Sequence, residues 1–283
     1  MYLYCYRKRP NFGDALNQWL WPKFLDVKFD DFPGSDEVFV GIGTILNERL
    51  PDAKKLHIMG SGLGYGHVTT DKMLNWEVHF VRGPLTAKAL SLDNDLAISD
   101  PAILLNRIED LGRNKKVKCS FMPHHGIDSE RYRNLCESVG LQYISPEAPC
   151  EVVITQILES EKLICSAMHG AIVAEAFRVP WLAVQTDHQI LVSKWPDWAA
   201  SLELNIEFTQ LPTIYPKPEP TLKGGVIAWA KASVVQWQLQ RLANSRKFQL
   251  GSDRILEDRL KKMEKKVGYF NGKYKNDIRQ VTV

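Results

Sequence analysis

Leu163–Trp181, LICSAMHGAIVAEAFRVPW, is the stretch whose residue types and order could do chemistry. The apolar Leu163–Cys165 reads as a buried strand. Ser166, Ala167 and Met168 read as a turn, and His169 and Gly170 open an Ala-rich helix, His169–Phe177. Ser166 is a candidate N-cap. Free backbone N–H groups and the positive end of the helix dipole make such a start an anion site. Gly170 would let a phosphate come close, Ser166 and Met168 would line the site, and His169 would give a ligand its proton. The plainer alternative is a capping or packed histidine, and the strand–turn–helix setting favours the functional one.

Two shorter patterns join it. Asn11–Asp14, NFGD, precedes a helix expected over Ala15–Leu20. Asn11 can cap that helix and Asp14 can favour its dipole, or Asp14 can accept the proton of a sugar hydroxyl. In Val81–Thr86, VRGPLT, a strand delivers Arg82 at its carboxyl end and Pro84 starts a helix. A guanidinium there can hold a carboxylate or phosphate with its planar fork; otherwise it is a surface ion pair. The glycine turns at Gly41, Gly43, Gly60, Gly62, Gly64 and Gly66 lack a full dinucleotide fingerprint. Gly43, Thr44 and Gly62 are read as lining a cleft. The pair His124–His125 has no partners at metal-ligand spacing, so His124 is assigned an acceptor contact. Neither a metal nor a cofactor is expected.

Composition narrows the classes. The 283 residues carry 36 basic and 33 acidic side chains, a formal charge of +3, too mild for a nucleic-acid binder. Five cysteines without a CxxC pair suggest reduced thiols. No apolar run has signal-peptide or membrane-spanning character. A cytoplasmic protein is therefore expected. Trp19, Trp21, Trp195 and Trp198 are read first as packing and second as platforms for sugar rings.

The elements that must position these residues are legible as short apolar runs alternating with helices, the pattern of parallel sheets. Strands are expected at Glu37–Gly41, Lys55–Met59, Val78–Val81 and Leu96–Ser99, with a helix from Ile45. A second series follows at Lys116–Met122, Leu141–Ile144, Val152–Thr155, Leu163–Cys165 and Trp181–Val184. Leu105–Lys116 is the expected boundary. The chain then divides into residues 1–110, 111–212, and a Pro-rich linker with terminal helices, 213–283. Those helices are expected at Val226–Ala243, carrying Trp229 and Trp237, and at Asp253–Val267. Two doubly wound halves would face one another across a cleft, where ligands bind in such folds. The basic face of the last helix, with Lys261, Lys262, Lys265 and Lys266, is read first as solvated and second as a peripheral contact with the inner membrane face.

NFGD, GIGTIL, VRGPLT, DPAILL and above all SAMHGAIVAEAFRVPW, in this order from Asn11 to about Leu202, resemble the polysaccharide pyruvyltransferase family, in the branch that decorates exopolysaccharides and capsules with pyruvate ketals. The resemblance implies two Rossmann-like domains similar to the glycosyltransferase B architecture, phosphoenolpyruvate as donor and a saccharide acceptor, with polymer, lipid-linked oligosaccharide and nucleotide sugar all open. It implies His169 as general acid, Arg82 gripping the donor and Asp14 in the active site. Many members carry an arginine two residues before the histidine, where this chain has Ala167. Lys194 and Arg178 are the candidate replacements. A nucleotide-sugar glycosyltransferase of the same fold is the alternative, and a non-catalytic sugar binder is a third reading.

Overall fold

The computed structural model describes residues 1–30, 33–64, 66–186, 194–214 and 222–280, without the side chains of 70, 222–229 and 276–280. The Pro-rich passage beyond residue 214, Ser193 and the side chain of Trp229 lie outside the described residues.

Four strands, β1 (Tyr2–Tyr4), β2 (Glu37–Val40), β3 (Lys55–Met59) and β4 (Trp76–Phe80), form a parallel sheet in the order β1-β2-β3-β4. Five more, β5 (Ser120–Met122), β6 (Gln142–Tyr143), β7 (Leu163–Cys165), β8 (Trp181–Gln185) and β9 (Thr209–Gln210), form a second in the order β6-β5-β7-β8-β9. The helices are α1 (Phe12–Phe24), α2 (Pro84–Ala89), α3 (Glu130–Ser138), α4 (Cys150–Glu159), α5 (Met168–Ala176), α6 (Lys194–Ser201), α7 (Leu222–Ala243) and α8 (Asp253–Gln280). The chain is thus α/β with parallel sheets. The second sheet is doubly wound, with the chain order reversing between β5 and β7. The first is not: its strands follow one another with no reversal, so it has no switch point of its own.

Several expectations change. Val152–Thr155 is helical, because Cys150, Val153, Ile154, Ile157 and Leu158 are buried at helical spacing while Val152 faces outward. No helix starts at Ile45; that segment is a loop, tied to the next by Leu46 bridging Leu63. Leu96–Ser99 contributes one bridge, Val81 to Ala97, because the capped 3-10 turns Asn94–Leu96 and Pro101–Arg107 flank it. The last helix runs past Val267 to Gln280.

The core explains the tryptophans. Trp21, Trp181, Trp195 and Trp198 are fully buried, and the last three pack on one another. They are structural, not ring platforms. All five cysteines are free and buried. Val235, Leu239 and Leu242 fix α7 on the second sheet's side of the core, with Phe121 and Tyr132. Leu256, Leu260, Met263 and Val267 of α8 are buried as expected, and Phe270 continues the stripe onto Phe39 of β2. The last helix therefore reaches back to the first sheet. No helix among the described residues is long and apolar enough to cross a membrane.

Candidate active site

Ligands in open α/β sheets bind outside the carboxyl ends of the strands, where the strand order reverses. Here the two strands at that point are β5, which ends at Met122, and β7, which ends at Cys165. The loop after β5 carries His124 and His125, and the loop after β7 leads through Ser166 into His169 of α5. The amide of His124 donates to the Ser166 hydroxyl at 2.8 Å, tying the two loops together. Ser166 is therefore not the cap. The N-cap position is Ala167, whose side chain makes no capping bond. Gly170 and Ala171 both donate to the Ala167 carbonyl.

Gly170 has a packing role. It is buried, and a Cβ there would stand 2.7 Å from the Met122 sulfur, so the glycine lets α5 lie close on β5. Met168 is buried beside it.

His169 is the meeting point. Its Nε2 lies 3.5 Å from Asp100 Oδ2 and is buried with no hydrogen-bond partner among the described residues. Asp100 itself is fully buried, and its other oxygen accepts from the amide of Ala102 at 3.0 Å, capping the 3-10 turn that starts at Pro101. Nδ1 is the other ring nitrogen, and it faces α1. A Cβ on Gly13 would fall 2.0 Å from it. The glycine of NFGD is the gap in which the imidazole sits. Gly13→Ala is expected to displace the ring and to lower kcat by on the order of 100-fold, the effect of a misplacement of about 1 Å, with an unchanged circular dichroism spectrum. Wild-type turnover in that variant would show that the ring position is not used.

Asp14 follows Gly13 in the first turn of α1. The helix begins at Phe12, earlier than the sequence suggested, and Asn11 occupies the N-cap without making the side-chain cap. Its amide group instead donates to Asp14 Oδ2 at 2.5 Å. Burial raises the Asp14 pKa, and the Asn11 bond, His169 and Lys194 only partly oppose it. A carboxylate so placed is a stronger base than a solvated one.

Cations close the site on its other flank. Arg82 is fully buried and does not stand open at a strand end. Nη1 donates to Thr44 Oγ1 at 2.7 Å and Nε to Asp197 Oδ2 at 3.2 Å. Asp197, in α6, also accepts from the amide and hydroxyl of Thr86 at 3.0 and 2.6 Å. The ion pair anticipated at the surface is therefore a buried one that joins α2 to α6. Nη2 has no hydrogen-bond partner among the described residues and lies against Gly62, where a Cβ would come within 2.2 Å. Gly43, with φ of 138°, turns the loop that carries Thr44. Lys194, the first residue of α6, is pushed down to about 8 by burial and by Arg82, against the pull of Asp14 and Asp100. Arg178, the other candidate, pairs with Glu175, Asp253 and the Gly251 carbonyl, none of them in the site.

His124 is held neutral, pushed down to about 3 by burial and then by Lys194 and His125. Its Nδ1 accepts from the amide of Gly126 at 3.2 Å, so Nε2 carries the proton and can donate. Burial and Lys194 also lower His125. Asp14, Arg82, Lys194 and His169 are thus brought together as the sequence suggested. Asp100, Asp197 and Thr86 are not singled out by the sequence, although Asp100 opens DPAILL and Thr86 closes VRGPLT.

The succinoglycan biosynthesis protein ExoV of Rhizobium meliloti (strain 1021) is 39% identical to this chain over 218 residues, 76% of this chain and 68% of that protein. The chain belongs to the ExoV family. This is a family of polysaccharide biosynthesis, and no family model and no solved structure matches the chain. In the ExoV-family chain Asp14, His169, Lys194 and Arg82 lie within electrostatic reach of one another.

Proposed function

We propose that this chain is a ketal-pyruvyltransferase, moving pyruvate from phosphoenolpyruvate onto two hydroxyls of a sugar in a surface polysaccharide or its precursor. The observation that carries the reading is the opposition of His169 and Asp14 across Gly13, with Lys194 and Arg82 beside them. The donor bears a carboxylate and a phosphate, so its site needs cations and N–H donors. ExoV, by its name, serves succinoglycan biosynthesis, which supports a saccharide acceptor. In this reading the two sheets belong to two halves, 1–110 and 111–212, similar to the glycosyltransferase B architecture, with 213–283 as linker and closing helices.

His169 gives the proton on Nδ1 to the methylene carbon, and oxocarbenium character builds at the adjacent carbon. A sugar hydroxyl attacks there and its proton passes to Asp14. The carbon–oxygen bond to phosphate then breaks, and the phosphate leaves with the proton from Asp14. A second hydroxyl of the same sugar closes the ring, and its proton restores His169. Asp100 holds the imidazole in place, and His124 Nε2–H offers a hydrogen bond to either substrate. Lys194 makes the direct contact with the donor, and Arg82 reinforces it from behind with Nη2, its unpartnered nitrogen.

Lys194 gives this reading a pH signature. Its ammonium ionises near 8, so the charge that holds the donor is present below that pH and lost above it. The kcat/KM for phosphoenolpyruvate should fall as pH rises through about 8. Lys194→Arg should remove that alkaline limb. Lys194→Met should lower kcat/KM at neutral pH by roughly 10- to 100-fold, the worth of one charged hydrogen bond. An unchanged profile in Lys194→Arg would separate Lys194 from donor binding.

The rival, a nucleotide-sugar glycosyltransferase, is distinguished by its leaving group. Incubation with acceptor saccharides should release phosphate from phosphoenolpyruvate, and release of nucleoside diphosphate from a nucleotide sugar would favour the rival. A peripheral membrane contact through α8 belongs to the proposal only in reduced form, since Lys261, Lys262, Lys273 and Lys275 pair with Glu257, Asp258, Glu77 and Asp26.

A further inference from the structure

Away from the candidate active site, parallel pairing of β3 and β4 brings together three potential ligands. His57 stands opposite Glu77, and His79 is two residues further along the same strand. Both imidazoles are buried, whereas the Glu77 side chain is about one-third exposed. His57 Nδ1 and His79 Nε2 are 3.3 Å apart. Glu77 Oε2 is 3.7 Å from the first, and Oε1 is 3.9 Å from the second. Atoms so spaced can all lie about 2 Å from one point, the length of zinc–nitrogen and zinc–oxygen bonds.

The outer partners match what a metal-bound histidine needs. Tyr274 of α8 donates its hydroxyl proton to Glu37. His57 Nε2 is 2.9 Å from the Tyr274 oxygen and 3.3 Å from Glu37 Oε2. Nε2 must therefore carry the proton, which leaves the Nδ1 lone pair turned towards His79 and Glu77. A ligating histidine whose other N–H is held by a carboxylate is the recurrent outer arrangement of such sites. Burial lowers the pKa of both rings, His79 to about 4, so both are neutral at neutral pH. A surface hollow lined by Lys28, Asp36, Glu37 and Tyr274 opens beside these outer partners.

We propose that His57, His79 and Glu77 form a binding site for a zinc-class divalent cation, which would clamp β3 to β4 at the edge of the first sheet. Two imidazoles and one carboxylate suit zinc, with water completing the tetrahedron. Lys273, 2.7 Å from Glu77 Oε2, competes with the ion for that carboxylate. Glu77 can keep Oε2 on the lysine and offer Oε1 to the metal. Without an ion, His79 Nε2–H donates to His57 Nδ1, so the pair is satisfied in either state.

The test is titration of the chelator-treated full chain with cobalt(II), read by its visible absorption, followed by displacement with zinc. The expected result is one equivalent bound at micromolar metal, with the intense band of tetrahedral cobalt and no thiolate charge transfer. His79→Gln should weaken binding by more than about 100-fold, and Glu37→Gln by about 10- to 100-fold. Lys273→Met should tighten it. If His79→Gln does not fold, Glu77→Gln at its partly exposed position is read in its place, with the same expectation. Absence of stoichiometric binding in both the wild type and Lys273→Met overturns the proposal, as does binding indifferent to the loss of a ligand.

Discussion

His169→Gln should lower kcat by on the order of 10²- to 10⁴-fold, the usual worth of a positioned proton donor, without changing the unfolding midpoint. The imidazole makes no hydrogen bond that the fold depends on: Nε2 meets Asp100 Oδ2 at 3.5 Å in an ion-pair contact that positions the ring, and Nδ1 faces the gap at Gly13. Glutamine fills a similar space but cannot carry the proton to carbon. Asp100→Asn should cost less, because it alters how the ring is held and leaves the donor atom in place. Steady-state phosphate release measures both. Near wild-type turnover in His169→Gln would remove His169 from the mechanism, and an equal loss in both variants would make the pair act as one unit.

The second large effect is on stability. Asp197→Ala should destabilise the fold by about 3–5 kcal/mol, because it leaves the guanidinium of Arg82 buried without its counter-charge. The same change strips the acceptor from the Thr86 amide and hydroxyl and loosens the tie between α2 and α6. Replacing both partners, as Arg82→Met with Asp197→Leu, should recover much of the loss, since a buried ion pair often contributes little against an apolar pair of similar volume. Urea unfolding measures this. A single-variant loss below about 1 kcal/mol, the range of exposed pairs, would contradict the burial assigned to the pair.

The same residues show how far the sequence reaches. The LHI run of β3, the LIC run of β7 and the Pro84 helix start were legible because local pattern and tertiary environment agree there. Val152–Thr155 misled because its β-branched run suits a strand, while burial on one face of a helix decided the outcome. His169, Asp14, Arg82 and Lys194 could be named one by one from motifs, and the structure brings them together. Their partners could not be named. Asp197 lies 115 positions from Arg82, and Asp100 meets His169 only because the Pro101–Arg107 turn packs on α5. The packing roles of Gly13 and Gly170 are not legible in their motifs. Gly13 is where the His169 ring approaches closely and Gly170 is where the Met122 side chain does, a property of the packed molecule and not of either segment.

The central step is protonation at the methylene carbon of phosphoenolpyruvate followed by formation of a ketal. It is tested most directly by running the reaction in deuterium oxide with donor labelled with carbon-13 at the central carbon, and examining the saccharide product by nuclear magnetic resonance. The account predicts that the label appears as a quaternary ketal carbon coupled to two sugar positions, with one deuterium in the new methyl group and one phosphate released per ketal. A product that keeps the vinyl group, or a saccharide that carries no label while the enzyme transfers sugar from a nucleotide donor, would contradict it.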